Sequence, residues 1–251
     1  MKRKYFGTDG IRGVAGRYPV TPEFAEKLGC ALTRVLAAQN RRAIVAIGRD
    51  TRGSGPALEA ALAAGIAAGG SDVRLLGVLP TPGVAAAVVR DKLAAGAVIS
   101  ASHNPAGDNG IKFFSGDGFK LPDETELAIE KEIDSPASPG ALPGRIERTT
   151  DAAARYVEHA LRSLPPGFSL QGMKIAVDCA NGASFETTPA ALRQLGAETA
   201  VFHASPDGNN INLGCGSTAP GEISRLVRKT GAHVGLSHDG DADRLLLCDE
   251  T

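Results

Sequence analysis

Two short stretches of this chain hold the residue types that do chemistry: a serine followed by a histidine on a tight turn, and three aspartates alternating over five positions. The first, Ile99-Ser100-Ala101-Ser102-His103-Asn104-Pro105, follows an apolar run (Gly96-Ala97-Val98-Ile99) that reads as a buried strand. It continues through Gly107-Asp108-Asn109-Gly110 into a second apolar run around Ile111. A hydroxyl beside an imidazole at a strand's C-terminal end lies where open α/β sheets place their chemistry. Serine needs a base, a metal or a reactive partner group to act as a nucleophile. The plain alternative is a Ser/Asn/Pro turn chosen for its conformation.

The second stretch, Asp239-Gly240-Asp241-Ala242-Asp243-Arg244, follows the strand Ala232-His233-Val234-Gly235-Leu236 after Ser237-His238. Hard divalent cations take oxygen ligands, and small residues between carboxylates let a loop aim several of them at one ion. The pattern begins like a calcium EF-hand loop, but the bidentate Glu and the flanking helices are missing and Leu245-Leu246-Leu247 follows at once. The alternative is an acidic surface turn. Octahedral Mg²⁺ favours a few protein carboxylates together with phosphate oxygens, so this loop calls for a phosphate nearby.

Two further loops carry glycines and arginines. Phe6-Gly7-Thr8-Asp9-Gly10-Ile11-Arg12-Gly13 is a segment whose backbone can approach a ligand closely, and Arg12 offers a planar fork suited to phosphate. Gly48-Arg49-Asp50-Thr51-Arg52-Gly53-Ser54-Gly55 closes the β-rich run Ala43 to Ile47, which Arg41-Arg42 precede. Either could be an ordinary Gly-rich turn.

The elements that must position these loops alternate. Thr21-Pro22-Glu23 opens a helix with a cap, a first-position proline and an acidic first turn, and Phe24, Leu28, Ala31, Leu32, Val35 and Leu36 recur at helical spacing. Further helices are expected over Pro56–Ala68, Gly83–Arg90 and Glu124–Ile133, with strands over Val73–Leu79 and Ala97–Ile99. Ile111–Phe114 with the turn Ser115–Gly118 reads as a hairpin. Ser135 to Gly144, with three prolines and two glycines, marks a domain boundary near residue 145. A second alternation follows: helix Asp151–Leu164, strand Lys174–Asp178, helix Thr188–Leu195, strand Ala197–Phe202 and helix Gly221–Thr230. The fold class expected is α/β, as two consecutive layered domains, 1–145 and 146–251, each a mixed sheet flanked by helices.

Composition excludes several function classes. The net charge of −1 over 251 residues marks the chain as neither a nucleic-acid nor a membrane-surface binder. No apolar run has the ~20 residues of a membrane span, and no signal-peptide core follows the basic N-terminus, so a cytoplasmic address is expected. Cys30, Cys179, Cys215 and Cys248 lack C-x-x-C spacing and read as small buried residues rather than a zinc site or disulfide framework. Abundant Gly and Ala with few aromatics fit helices packed closely on sheets. No G-x-G-x-x-G follows the first strand, which argues against a dinucleotide-binding domain.

Five motifs occur together in one order: Phe6–Gly13, Gly48–Arg52, Ser100–Pro105, Asp108–Lys112 and Asp239–Arg244. In this the chain resembles the α-D-phosphohexomutases, and within them most closely the bacterial phosphoglucosamine mutases. The closeness rests on the position of Phe6–Gly13 near the initiator Met, on Asp108 to Phe114, and on Cys215-Gly216-Ser217-Thr218. Two departures stand out: Ala242 where Gly is common, and Ala219 where the subgroup leads one to expect His.

The resemblance implies that Ser102 carries a phosphoryl group in the active enzyme. It implies that Asp239, Asp241 and Asp243 hold one Mg²⁺ together with an oxygen at Ser102. It further implies that Arg12 and Arg244 bind phosphoryl oxygens, and that His103 and Lys112 move protons. His103 has the alternative of bracing the turn, and Lys112 that of an ordinary solvated lysine. His238, beside the metal loop, is the remaining histidine of interest. The reaction implied interconverts glucosamine 6-phosphate and glucosamine 1-phosphate through a bisphosphorylated sugar, with a hexose bisphosphate as activator. The third and fourth domains of the family are expected to be absent, leaving an N-terminal fragment with poor or no mutase activity of its own. The alternatives are a phosphomannomutase/phosphoglucomutase of the same superfamily, or a phosphate-binding module without turnover.

Overall fold

A computed structural model describes residues 3–37, 43–135 and 142–251. Arg41-Arg42 and the 136–141 part of the Pro/Gly-rich stretch lie outside the described residues. The first sheet has six strands: β1 (Ile11–Val14), β2 (Ile44–Arg49), β3 (Asp72–Val78), β4 (Ala95–Ile99), β5 (Asp108–Ser115) and β6 (Ile146–Arg148). Their spatial order is β1-β5-β4-β2-β3-β6. The β4-β2-β3-β6 run is parallel, while β5 is antiparallel to both β4 and β1. The sheet is therefore mixed, as the alternation of elements implies.

Helices α1 (Pro22–Ala37) and α2 (Gly55–Ala68) cover one face with α4 (Asp123–Ile133), and α3 (Thr81–Arg90) covers the other with α5 (Ala152–Arg162). Thr21 caps α1 by accepting from the Phe24 N–H at 3.3 Å. The small residues allow α1 and α2 to cross closely: a Cβ at Gly65 would lie 1.9 Å from the Glu26 carbonyl. Leu28, Leu32, Leu62 and Ile66 fill the layer between these helices and the sheet with no exposed surface.

The second sheet has four strands, β7 (Lys174–Asp178), β8 (Glu198–Phe202), β9 (Val234–His238) and β10 (Leu245–Cys248), in the order β10-β9-β7-β8. Only β10 runs antiparallel to its neighbour. Helix α7 (Pro220–Thr230) packs on one face and α6 (Thr187–Gln194) on the other. Helix α5 touches both α3 and α6 and so spans the two layered units.

Two expectations change. Ile11–Val14 is a strand rather than part of a loop, because Asn109 to Ile111 offers it an antiparallel edge. Ile111–Phe114 does not form a two-stranded hairpin over Ser115–Gly118. The chain turns there, but its return makes a single bridge, Phe114 to Lys120, and the true partners of β5 are β4 and β1. The Ser102 turn is thus the connection between antiparallel strands β4 and β5. Strand β6, beyond the expected boundary at 145, completes the first sheet by pairing with β3.

Candidate functional site

The two chemistry-bearing stretches meet. Ser102 sits just past β4 and Asp239 just past β9, 137 residues apart in sequence, and the Ser102 Oγ–H donates to Asp239 Oδ2 at 2.6 Å. Arg244 Nη2 donates to the same hydroxyl at 2.9 Å and to Asp239 Oδ2 at 2.8 Å. His103 Nδ1 lies 3.4 Å from Ser102 Oγ and 2.5 Å from Arg244 Nη2. Ser102 itself is buried and adopts φ +51°, a left-handed conformation that a non-glycine residue holds only when its surroundings over-determine it.

Asp239 and Asp241 are buried and Asp243 is half-exposed. The three present carboxylate oxygens within 4.8 Å of one another. Asp241 Oδ2 accepts from Thr81 Oγ1 at 2.6 Å and from Lys112 Nζ at 3.1 Å, whereas Asp241 Oδ1 is buried with no partner. A converging set of hard oxygens, one of them an orphaned acceptor, fits a hard divalent cation. The acidic loop can therefore hold a metal.

The electrostatics follow from this crowding. Burial raises the Asp243 carboxyl above its ordinary value, and Asp241 and Asp239 push it further in the same direction. Burial works likewise on Asp241, but the Lys112 ammonium and the Thr81 hydroxyl outweigh it and hold Asp241 below its ordinary value. Lys112 is the counterpart: burial opposes its charge, yet Asp241, Asp9 and Asp243 prevail and raise it. Its Nζ lies 3.5 Å from Asp243 and 3.7 Å from Asp9. It is a fixed cation among carboxylates, not the solvated lysine its sequence context allows.

Arg12 reaches this centre indirectly. It pairs with Asp9, and Asp9 in turn faces Lys112, so Arg12 caps a chain of alternating charges leading to Asp241. His238 braces the acidic loop rather than entering it, with Nε2 3.0 Å from Thr188 Oγ1 and Nδ1 3.4 Å from the Arg244 carbonyl. Burial lowers its pKa.

Two of the site's supports carry no chemistry of their own and escape a reading by residue type. Asp241 is tied through Thr81, whose hydroxyl and N–H both donate to it, the latter to its carbonyl at 2.9 Å. Gly240 lets the acidic loop touch the serine loop: a Cβ there would lie 2.6 Å from the Ser102 carbonyl and 2.7 Å from Ile211 Cδ1. The spacing of Gly between two aspartates was the available signal. Asp178, His203 and Cys215 form another group of donor atoms within 4.8 Å. Both Asp178 oxygens are taken up by the N–H groups of Ala180 and Gly216 at 2.8 Å, so it ties two loops together. The four cysteines are free, Cys179 and Cys215 buried, and burial pushes the Cys215 thiol up to about 12. Among the described residues no helix is long and apolar enough to cross a membrane.

Comparisons with known proteins converge on one family. Residues 3–139 match the phosphoglucomutase/phosphomannomutase α/β/α domain I, and residues 154–251 match domain II. The phosphoglucosamine mutase of Polynucleobacter asymbioticus is 52% identical over the whole chain, which spans 57% of that relative's length. A phosphoglucomutase/phosphomannomutase family protein from Burkholderia thailandensis superposes with a TM-score of 0.85 at 28% identity, over 97% of this chain and 54% of that one. An Aspergillus fumigatus N-acetylphosphoglucosamine mutase, solved with GlcNAc-6P and magnesium, shares the fold at 14% identity, with a TM-score of 0.56 over 98% of this chain and 50% of that one. The chain belongs to the phosphoglucomutase/phosphomannomutase family and spans about half the length of the relatives it matches.

Proposed function

We propose that this chain forms the phosphoryl-transfer half of a phosphoglucosamine mutase, in which Ser102 alternately gives a phosphoryl group to glucosamine 6-phosphate and takes one back to leave glucosamine 1-phosphate. The observation that carries this reading is the Ser102 hydroxyl held between Asp239 Oδ2 and Arg244 Nη2. It is an acceptor placed against an acidic loop from the other half of the chain. The identity of about half its residues to phosphoglucosamine mutases supports the choice of sugar. The division we favour is 1–145, carrying the serine loop, and 146–251, carrying the acidic loop, with β6 as an arm lent to the first sheet.

The residues have separable tasks. Asp239, Asp241 and Asp243 would hold Mg²⁺ beside Ser102, and the ion, when bound, supplies charge neutralisation for phosphoryl oxygens. Arg244 donates to Ser102 Oγ and stabilises negative charge as it grows on that oxygen. Its fork suits phosphoryl oxygens as well. At rest the Ser102 hydroxyl donates to Asp239 and Arg244 occupies His103 Nδ1; once Arg244 turns to phosphoryl oxygens, His103 Nδ1 is freed to take the hydroxyl proton as the serine is loaded. Lys112, cationic at rest among Asp241, Asp243 and Asp9, is the counter-charge of the acidic loop and would become neutral on giving its proton to a reacting oxygen brought within its reach. Arg12, at the outer end of the charge chain, is exposed enough to meet an incoming phosphate. A hexose 1,6-bisphosphate would charge Ser102 at the start.

The test is intact mass and peptide mapping after incubation with Mg²⁺ and glucose 1,6-bisphosphate, beside Ser102→Ala. One phosphoryl group on Ser102, absent from Ser102→Ala and reduced in Asp241→Asn, is the expected result. If Ser102 takes up none, either in this chain or with the remainder of the longer protein supplied, the reading fails.

A further inference from the structure

The conformation that aims Ser102 at Asp239 is enforced on the backbone, not on the serine side chain. Arg52 is fully buried and spends its guanidinium on the serine loop's carbonyl oxygens. Its Nη2 donates to the carbonyls of Ser102 at 2.9 Å and Asn104 at 2.8 Å, and its Nη1 donates to those of Asp108 at 3.0 Å and of Pro105. Asp50 completes the anchor. Its Oδ2 accepts from Arg52 Nε at 2.9 Å and from Ser100 Oγ at 2.6 Å, and Ser100 Oγ accepts from the Ser102 N–H at 2.9 Å.

From the other half of the chain, Asn212 Nδ2 donates to the same two carbonyls, Ser102 at 2.9 Å and Asn104 at 3.1 Å. Asn212 is itself left-handed at φ +59°, and its Oδ1 is buried without a partner. A buried unpaired acceptor costs free energy, so the amide is oriented for its donors. The two clamps are independent in chain position and converge on one pair of oxygens.

We propose that Arg52 and Asn212 are positioning residues that jointly fix the left-handed turn at Ser102, and with it the aim of Oγ at the acidic loop. The inference rests on the phosphoryl-transfer reading above for its catalytic consequence, but the clamp is a property of the loop and is measurable without turnover. Reacting groups misplaced by about 1 Å lose on the order of 10²-fold in rate. Loosening the turn therefore slows transfer without weakening sugar binding.

Asn212→Asp is the informative variant, because it keeps the shape and tolerates the left-handed backbone while replacing a donor with an acceptor. Hydrogen exchange of the 100–108 segment is expected to quicken by about tenfold or more, with the β7–β9 core unchanged. Loading of Ser102 from glucose 1,6-bisphosphate is expected to slow by about tenfold or more, with KM for the bisphosphate within about twofold. Asn212→Gln, which retains the amide, is expected to recover part of the rate. Arg52→Lys gives the same signature from the other side. Unchanged exchange in both Asn212→Asp and Arg52→Lys overturns the clamp, and so does a loosened loop that still loads at the wild-type rate. Wild-type protein that takes up no phosphoryl group, with or without the remainder of the longer protein, while the exchange results hold, removes the phosphoryl-transfer reading and leaves the clamp standing.

Discussion

At the scale of single residues, Gly240 and Ala242 stand two positions apart in the acidic loop and make opposite predictions. Gly240 is needed for space, since a methyl group there would run into the Ser102 carbonyl at 2.6 Å and Ile211. Its backbone does not require positive φ. Gly240→Ala is expected to destabilise by about 1–3 kcal/mol, the usual cost of overpacking, and to push the serine and acidic loops apart. Ala242 has the reverse problem: φ is +54°, where a Cβ costs roughly 1–2 kcal/mol. The glycine common at this position in the resemblance is explained by that angle. Ala242→Gly relieves the strain but lengthens the list of unfolded conformations, so a net gain of up to about 1 kcal/mol is expected. Urea denaturation of the two variants checks both signs, and a stable Gly240→Ala would contradict the packing argument.

At the scale of elements, the site depends on strand ends, and strand ends explain what the sequence could and could not reveal. β2, β4 and β9 are short apolar runs that each deliver a polar loop at the C-terminal end, so the loops carrying Arg52, Ser102 and Asp239 were legible as candidates. The edge strands of the first sheet were not. β1 (IRGV) and β6 (IER, exposed) have too few residues for a pattern and owe their conformation to the neighbour they pair with. Of the candidate site, Ser102 and the three aspartates, which the structure brings together, stood out by residue type and spacing. Arg52 stood in a motif without an assignable task, and Asn212 and Thr81 were silent because their importance lies in contacts more than 100 residues away in sequence. The Asp50–Arg52 pair shows the cost of such an anchor. Both side chains have no exposed surface. Removing one partner of a buried ion pair costs about 3–5 kcal/mol because the other charge is left without its match. Asp50→Asn is expected to fall in that range by denaturant titration, whereas Arg162→Gln, which breaks an exposed pair with Glu158, changes stability by less than about 0.5 kcal/mol.

At the scale of the whole molecule, the two layered units are joined through the site itself. Thr51 Oγ1 donates to the Asn181 carbonyl at 2.5 Å, the Gly53 N–H to the Gly208 carbonyl at 2.8 Å, Thr81 to Asp241, and Ser102 to Asp239. The acidic loop therefore belongs to the second sheet by chain position but is hydrogen-bonded to both units, to the first through Thr81 and Ser102 and to the second through the Ala183 N–H on the Gly240 carbonyl. Three clustered carboxylates oppose this closure by mutual repulsion, and the cations Lys112 and Arg244 offset part of it. A divalent cation on Asp239, Asp241 and Asp243 would remove the repulsion where the halves meet, so it should stabilise both sheets at once rather than the second alone. Binding to the folded state alone at a concentration 100 times Kd adds about 2.7 kcal/mol. Mn²⁺ or Mg²⁺ is thus expected to raise the melting temperature of the wild-type chain, reversibly with chelator, and to slow hydrogen exchange in β4 and β5 as well as in β9. Asp239→Asn and Asp241→Asn should lose the shift. An equal shift in those variants would place the ion elsewhere. Protection confined to β9 and β10 would mean that the acidic loop binds metal without engaging the serine, and the shared site would then be a contact between loops rather than a centre for phosphoryl transfer.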